Sequence, residues 1–307
     1  MSVIFCFPGQ GAQQPGMLHA LPRHAEVERT LTESERILKI DPLSLDSGQA
    51  LQSTVAVQLC LSIAGIAMAR LLIAEGARPE MVAGFSIGEY PAAVAAGALD
   101  YADALALVAR RASLMENAFP EGYGMAVVAG LDCAQLEPLI ARVHSPATPV
   151  YLANLNAERQ LAISGAESAL HAVMALAREH GASKVERLAV GVPSHSPLLL
   201  PAAQKLAEAF EGIRVHKPSL IYLSSSKLRV VTRPDQIADT LAGNMARQVH
   251  WSETMRLAWE RGARIAVEMP SGSVLSKLTE SVFANGRAVS CQSTRIGTLL
   301  VLMARRY

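Results

Sequence analysis

The feature that most narrows the fold is a five-residue string, Gly84-Phe85-Ser86-Ile87-Gly88, taken with its surroundings. It fits the pattern G-x-S-x-G. An apolar run, Met81 to Phe85, leads into it, and a helix-forming stretch near Ile87–Ala96 leads away. A turn that passes directly from buried strand to helix has room only for small flanking residues, which is why glycine stands at both ends. The serine Oγ is then held exposed at the edge of a sheet. It also sits at a helix N-terminus, where backbone N–H groups favour developing negative charge. Without those flanks the same serine would read as an ordinary helix cap.

The rest of the chain supplies the matching elements. Its 307 residues allow one large domain or two modest ones, and half of them are hydrophobic, enough for a substantial core. Val3 to Phe7 reads as a short buried strand ending at the turn Pro8-Gly9-Gln10-Gly11. Helices are expected near Val27–Leu38, over Thr54–Glu75 and over Tyr101–Ala118. The longest apolar segment, Val55 to Ala74, is interrupted by Gln58, Ser62 and Arg70. A bilayer span asks for about 20 apolar residues without such breaks, so the expectation is a buried core helix and no membrane association. Met1 to Phe7 lacks the basic start of a signal peptide, which points to the cytoplasm.

The texture changes at Pro120-Glu121-Gly122. From there the order reads strand (Met125–Ala129), helix (Cys133–Val143), strand (Val150–Asn154), strand (Gln160–Ser164), helix (Glu167–Glu179), strand (Ser183–Val190). That βαββαβ order is ferredoxin-like. The expectation is an α/β fold: a hydrolase-like core with a parallel sheet (1–121 and 192–307) and an inserted ferredoxin-like subdomain (122–191). After Pro197 the α/β alternation resumes, with strands at Leu220–Ser224 and Arg264–Met269 and helices between them.

Charge and cysteine usage exclude several function classes. Lys and Arg number 28 against 27 Asp and Glu, a net charge of +1, which argues against a globally basic nucleic-acid binder. The balance is uneven: residues 201–307 hold 15 Lys and Arg against 8 Asp and Glu. Arg261, Arg264, Lys277, Arg287, Arg305 and Arg306 could build a positive face there, or be ordinary solvated positions. Cys6, Cys60, Cys133 and Cys291 are scattered, with no CxxC or Cys/His cluster. Reduced thiols are expected, and no metal site.

A nucleophilic serine needs a base. Of eight histidines, His195 stands out. It lies in Val192-Pro193-Ser194-His195-Ser196-Pro197, a loop after an apolar strand whose two prolines stiffen the backbone. Asp100, Asp103 and Asp132 fall between Ser86 and His195, but none is well placed as the acid of a triad. A main-chain or side-chain amide oxygen could orient the imidazole instead, making a Ser-His dyad. An oxyanion hole needs two N–H donors. Ile87 follows the serine, and Gln10 lies on the turn after the first strand. Arg111 sits on an apolar helix between Val108 and Met115. Turned inward, it would meet a carboxylate with both prongs of its guanidinium, whether of a substrate or of a structural ion pair.

In this order these strings resemble the malonyl-CoA:acyl-carrier-protein transacylase family. The likeness runs from Phe7 to about Leu278. It is carried by Phe7-Pro8-Gly9-Gln10-Gly11, Gly84 to Tyr90, Leu107 to Arg111 with Met115, Asn154-Leu155-Asn156 with Gln160 and Ile163-Ser164-Gly165, and Val192 to His195. The resemblance implies that Ser86 is the nucleophile and His195 its base, with Gln10 and Ile87 as oxyanion donors. It implies that Arg111 binds the malonyl carboxylate and that Asn156 supports the site. The family orients its histidine with a glutamine before a tryptophan. Counting back from Trp251, Asn244 takes that place. One departure is Phe85, where the family typically has histidine; this leaves the nucleophile intact and bears on acyl selectivity.

The resemblance also implies malonyl-CoA as substrate, no bound cofactor, and an acyl carrier protein as partner, its thiol arm being the acceptor. The opening, Phe7 to Pro22, looks most like the malonyl transferase (epsilon) subunit of bacterial malonate decarboxylase, with that enzyme's other subunits as further partners. The transacylase of fatty-acid synthesis is the nearest other reading, and a serine hydrolase passing the acyl group to water is a reading of another class.

Overall fold

The computed structural model describes residues 2–119 and 121–304. Pro120, at the texture change, and Arg305 and Arg306, of the expected positive face, lie outside the described residues. The described strands are β1 (Ser2–Phe7), β2 (Met81–Gly84), β3 (Tyr123–Ala129), β4 (Val150–Ala157), β5 (Gln160–Ala166), β6 (Lys184–Arg187), β7 (Ile221–Ser224), β8 (Arg229–Val231), β9 (Val249–His250), β10 (Ala263–Glu268) and β11 (Arg287–Ser290).

Six of them form one sheet in the order β11-β10-β1-β2-β7-β8. All its pairings are parallel except that of β7 with β8. The central strands are nearly continuous apolar runs because helices cover both faces. In β1, Val3 to Phe7 are all buried. The helix Thr54–Ala74 has the length and composition of a membrane span, yet 89% of its apolar window is buried within the protein. It is a core helix, as the polar interruptions imply. Arg70 leaves the core to meet Glu33 at 2.8 Å and lies over the Tyr101 ring.

The second sheet has the order β6-β3-β5-β4-β9. β3 to β6 pair antiparallel in the ferredoxin-like order. Two helices, Cys133–Val143 and Glu167–Glu179, cover one face through Val128, Leu136, Leu170 and Val173. A capping box of Asp132 and Gln135 starts the first of them. The opposite face, carrying Met125, Ala153 and Ala162, turns away from these helices. The fifth strand, β9, comes from far along the chain and pairs parallel with β4. This two-residue strand and the short β8 and β11 were not read from the sequence: they are two to four residues long, too short for periodicity, and lack the continuous apolar run that marks β2 and β7.

β1 and β2 are parallel neighbours in register, Phe7 beside Gly84. Their C-terminal ends therefore release two loops side by side, one carrying Gln10 and the other Ser86. The crevice outside the carboxyl ends of adjacent parallel strands is where open α/β sheets bind ligands.

Candidate active site

Steric demands shape the serine turn. Ser86 to Gly88 form a single 3₁₀ turn that feeds the helix Glu89–Ala95. A Cβ on Gly84 would lie 2.1 Å from the Glu89 nitrogen, and one on Gly88 would lie 2.1 Å from the Phe7 carbonyl oxygen. Ser86 itself has φ 56, a left-handed conformation that a non-glycine residue adopts at a cost of order 1–3 kcal/mol. Gly9 presses on the same turn: its Cβ would be 2.8 Å from the Phe85 carbonyl oxygen and 3.4 Å from Ser86 Cβ. The Gln10 loop and the Ile87 turn are thus held together. Among the described residues, neither Gln10 N–H nor Ile87 N–H donates to an acceptor of the protein.

His195 reaches the serine from the far side of the chain. Its Nε2 lies 2.8 Å from Ser86 Oγ. Its Nδ1 lies 3.0 Å from the Asn244 carbonyl oxygen and 2.9 Å from that of Arg247. Carbonyl oxygens only accept, so Nδ1 carries the proton and Nε2 is left as an acceptor for the serine O–H. The His195 N–H also donates to the Met245 carbonyl at 2.7 Å, fastening the whole loop to the 244–247 turn. Burial, then the positive charge of Arg111, pushes the imidazole from its ordinary 6.5 down to about 4, against the pull of the two carbonyls. Asp100, Asp103 and Asp132 are not among its partners.

Arg111 is fully buried. It forms none of the ion pairs found among the described residues, so the structural salt bridge considered from sequence is not there. Its Nη1 donates to Gln58 Oε1 at 2.6 Å and its Nη2 to Ser86 Oγ at 3.3 Å. Nε and Nη2 both donate to Asn244 Oδ1, at 3.3 and 3.1 Å. Burial lowers its pKa to about 10, which leaves it charged at neutral pH. A buried, charged fork without a carboxylate, in contact with the serine, has the chemistry to pair with an incoming anion.

Asn244 does meet His195, as the resemblance implies, but through its main chain and not its side chain. Its side-chain oxygen faces Arg111, and its main-chain carbonyl is what meets His195. The physical reason is the demand of the buried guanidinium, which needs an acceptor there and takes Oδ1. The Asn244 Nδ2 donates to the Ser86 carbonyl at 3.0 Å and to Glu89 Oε2 at 3.2 Å.

Beside the serine turn lies a cavity of about 320 Å³ between the two sheets. Gln10, Phe85, Asn154, Asn156, Gln160 and Leu278 line it with other residues. Asn156 is thus placed on the cavity wall, apart from the hydrogen bonds of Ser86. The Oδ1 atoms of Asn154 and Asn156 are buried without a partner. Phe85 packs against Trp251, ring centroids 5.8 Å apart, and is one of the residues lining the cavity. Sequence reasoning missed Gln58 and gave no role to Glu89. The signal for Gln58 was its presence, with Ser62 and Arg70, as a polar break in a predominantly apolar helix.

A serine at a strand-to-helix turn, hydrogen-bonded to a histidine of fixed tautomer beside free N–H donors, defines the class: serine-dependent acyl chemistry on an α/β fold. Comparison with known proteins narrows it. The acyl transferase domain family matches residues 4–299, and the chain belongs to that family. It is 34% identical over 298 residues to the malonyl CoA-acyl carrier protein transacylase of Haemophilus influenzae, covering 92% of this chain and 93% of that protein. Among solved structures, it resembles the acyl-carrier-protein S-malonyltransferase of Burkholderia pseudomallei, with a TM-score of 0.93 and 35% identity over 98% of this chain and 100% of that one. A malonyl-transacylase solved with its type II PKS acyl-carrier protein superposes with a TM-score of 0.91 and 31% identity, covering 99% of each chain.

Proposed function

We propose that this protein transfers a malonyl group from malonyl-CoA to the thiol of an acyl carrier protein through a malonyl ester on Ser86. One observation carries the reading: Ser86 Oγ lies within reach of both a histidine acceptor and a buried arginine that lacks a carboxylate partner. His195 Nε2 takes the hydroxyl proton as Oγ bonds to the thioester carbon. The carbonyl electron pair becomes an oxyanion facing the Gln10 and Ile87 N–H groups. Donors of this kind are worth about 3–4 kcal/mol each. The oxyanion collapses, the C–S bond breaks, and His195 returns the proton to the CoA sulfur. The carrier thiol then runs the same steps in reverse, and Ser86 regains its proton. Arg111 holds the malonyl carboxylate throughout, favouring malonyl over acetyl.

The carrier protein is the partner that the named relatives support, and they favour this reading over membership of a malonate decarboxylase. The decarboxylase reading rests on the opening segment Phe7 to Pro22 alone. We further propose that 122–191 is an inserted subdomain in a core of 1–121 and 192–307, and that Asn156 on the cavity wall contacts the arm that carries the acyl group. Exposed Arg261, Lys277 and Arg287 would form the carrier-facing surface. Arg264 would not, since its guanidinium stacks on Trp259 at 3.8 Å and donates to two carbonyls.

Intact-mass analysis after incubation with malonyl-CoA tests the chemistry. A malonyl adduct that is absent in Ser86→Ala and discharges onto a carrier thiol is the expected result. Free malonate released without an adduct would make the protein a hydrolase. Comparing a general acyl carrier protein with a decarboxylase carrier subunit as acceptors separates the two pathway readings.

A further inference from the structure

Glu89 is fully buried on the first turn of the helix that follows Ser86. A carboxylate in that position needs a reason, because burial strongly disfavours its charge. Its Oε1 accepts from Ser225 N–H at 2.8 Å, from Ser226 N–H at 3.3 Å and from the Ser224 hydroxyl at 3.1 Å, and it shares the Ser225 hydroxyl, 3.1 Å away, with the Gly84 carbonyl oxygen. That oxygen is saturated by donors from the end of β7 and the turn after it. The other oxygen, Oε2, faces Asn244 Nδ2.

An asparagine amide has a donor end and an acceptor end, and something must choose between its two orientations. Here the choice is determined from both sides. Nδ2 faces only acceptors, Glu89 Oε2 and the Ser86 carbonyl; Oδ1 faces only donors, Arg111 Nε and Nη2. Turning the amide over would set an NH₂ group against a guanidinium and an oxygen against a carboxylate. We propose that Glu89 is a positioning residue that acts through Asn244: it locks the amide so that Oδ1 grips one edge of Arg111 and leaves the guanidinium aimed past Ser86 at the acyl carboxylate. This rests on Arg111 binding that carboxylate.

Glu89→Gln tests it with almost no change in shape. The two backbone N–H groups and the Ser224 hydroxyl hold the glutamine oxygen where Oε1 was, so its NH₂ group lands opposite Asn244 Nδ2. Two donors then face each other, and the amide must turn over and push Arg111 away. The expected result is a fall of about tenfold or more in the malonyl-to-acetyl loading ratio. Acetyl loading should fall less, and the thermal transition should remain cooperative. Asn244→Ala should lower the ratio similarly. The double variant should be no worse in this ratio than Asn244→Ala, because a residue acting only through Asn244 has nothing further to lose.

Arg111→Ala is the control that separates two failures. If it leaves the ratio unchanged, the carboxylate-binding reading itself is wrong. If it lowers the ratio but Glu89→Gln does not, or if the effects of Glu89→Gln and Asn244→Ala add, the positioning role is wrong. Should Glu89→Gln fail to fold, Glu89→Asp keeps the buried charge but is too short to serve both the serine turn and Asn244. It should lower the ratio, and an unchanged ratio would overturn the proposal.

Discussion

The depressed pKa of His195 makes the pH dependence of acylation diagnostic. In water an imidazole titrates near 6.5; here burial and the Arg111 charge bring it to about 4. The free enzyme therefore keeps its base unprotonated well into acid. At about pH 5 a group with pKa 4 is roughly nine-tenths neutral, whereas one at 6.5 is only about 3% neutral, a rate difference of about thirtyfold. The assay is the kcat/KM for acylation of Ser86 by p-nitrophenyl acetate, whose acyl group carries no titrating carboxylate. The expected profile is flat from about pH 8 to about pH 5 and falls around pH 4. In Arg111→Gln the fall should move upward, because losing a nearby cation favours the imidazolium. The same shift affects stability. Between about pH 6.5 and pH 4 the unfolded chain binds a proton that the native histidine does not, so stability declines as pH falls through this window, by about 3 kcal/mol at most. A wild-type activity midpoint near 6.5 would refute the argument, since it would mean that the imidazole is solvated.

Three other changes have stated outcomes. Gly88→Ala places a methyl 2.1 Å from the Phe7 carbonyl oxygen; it should destabilise the protein by about 3 kcal/mol or more, read by thermal or urea unfolding. Phe85→His should retain Ser86 acylation by mass analysis but lower stability by about 1 kcal/mol, because the ring packed on Trp251 is lost. Lys277→Glu, on the exposed face, should reduce transfer at sub-saturating carrier about threefold or more and flatten its salt dependence; equal rates at low salt would remove Lys277 from the docking surface.

What could be read from the sequence, and what could not, follows from how far each constraint reaches along the chain. The serine turn is local: Gly84 and Gly88 are required by contacts within a few residues or with the neighbouring strand, so the string announces the structure. The βαββαβ order is legible for the same reason, since period and turn chemistry are local signals. His195 is marked by the prolines that stiffen its own loop. Arg111 stood out as a charge on an apolar helix, but its environment did not. Gln58 and Asn244, which satisfy it, lie 53 and 133 residues away. The orientation of His195 was least legible, because main-chain carbonyls do that work. Any residue type at 244 or 247 supplies a carbonyl, so no side-chain pattern records it.

Under the proposed function, the arrangement also ties substrate choice to base strength. Arg111 is one of the two causes that lower the His195 pKa, the larger being burial. In the proposed complex a malonyl carboxylate would neutralise Arg111 at the moment the serine must be deprotonated. An acetyl group would leave the cation uncompensated and the imidazole a poorer base. The guanidinium would then discriminate twice, through attraction to the carboxylate and through its field on the histidine. Both effects need Arg111 held close to Ser86 without an ion-pair partner of its own, which is what a neutral amide at Asn244 provides and a carboxylate there would not. The nearest acid, Glu89, is kept one residue further off, behind that amide, where it can orient the cation's partner without pairing with the cation.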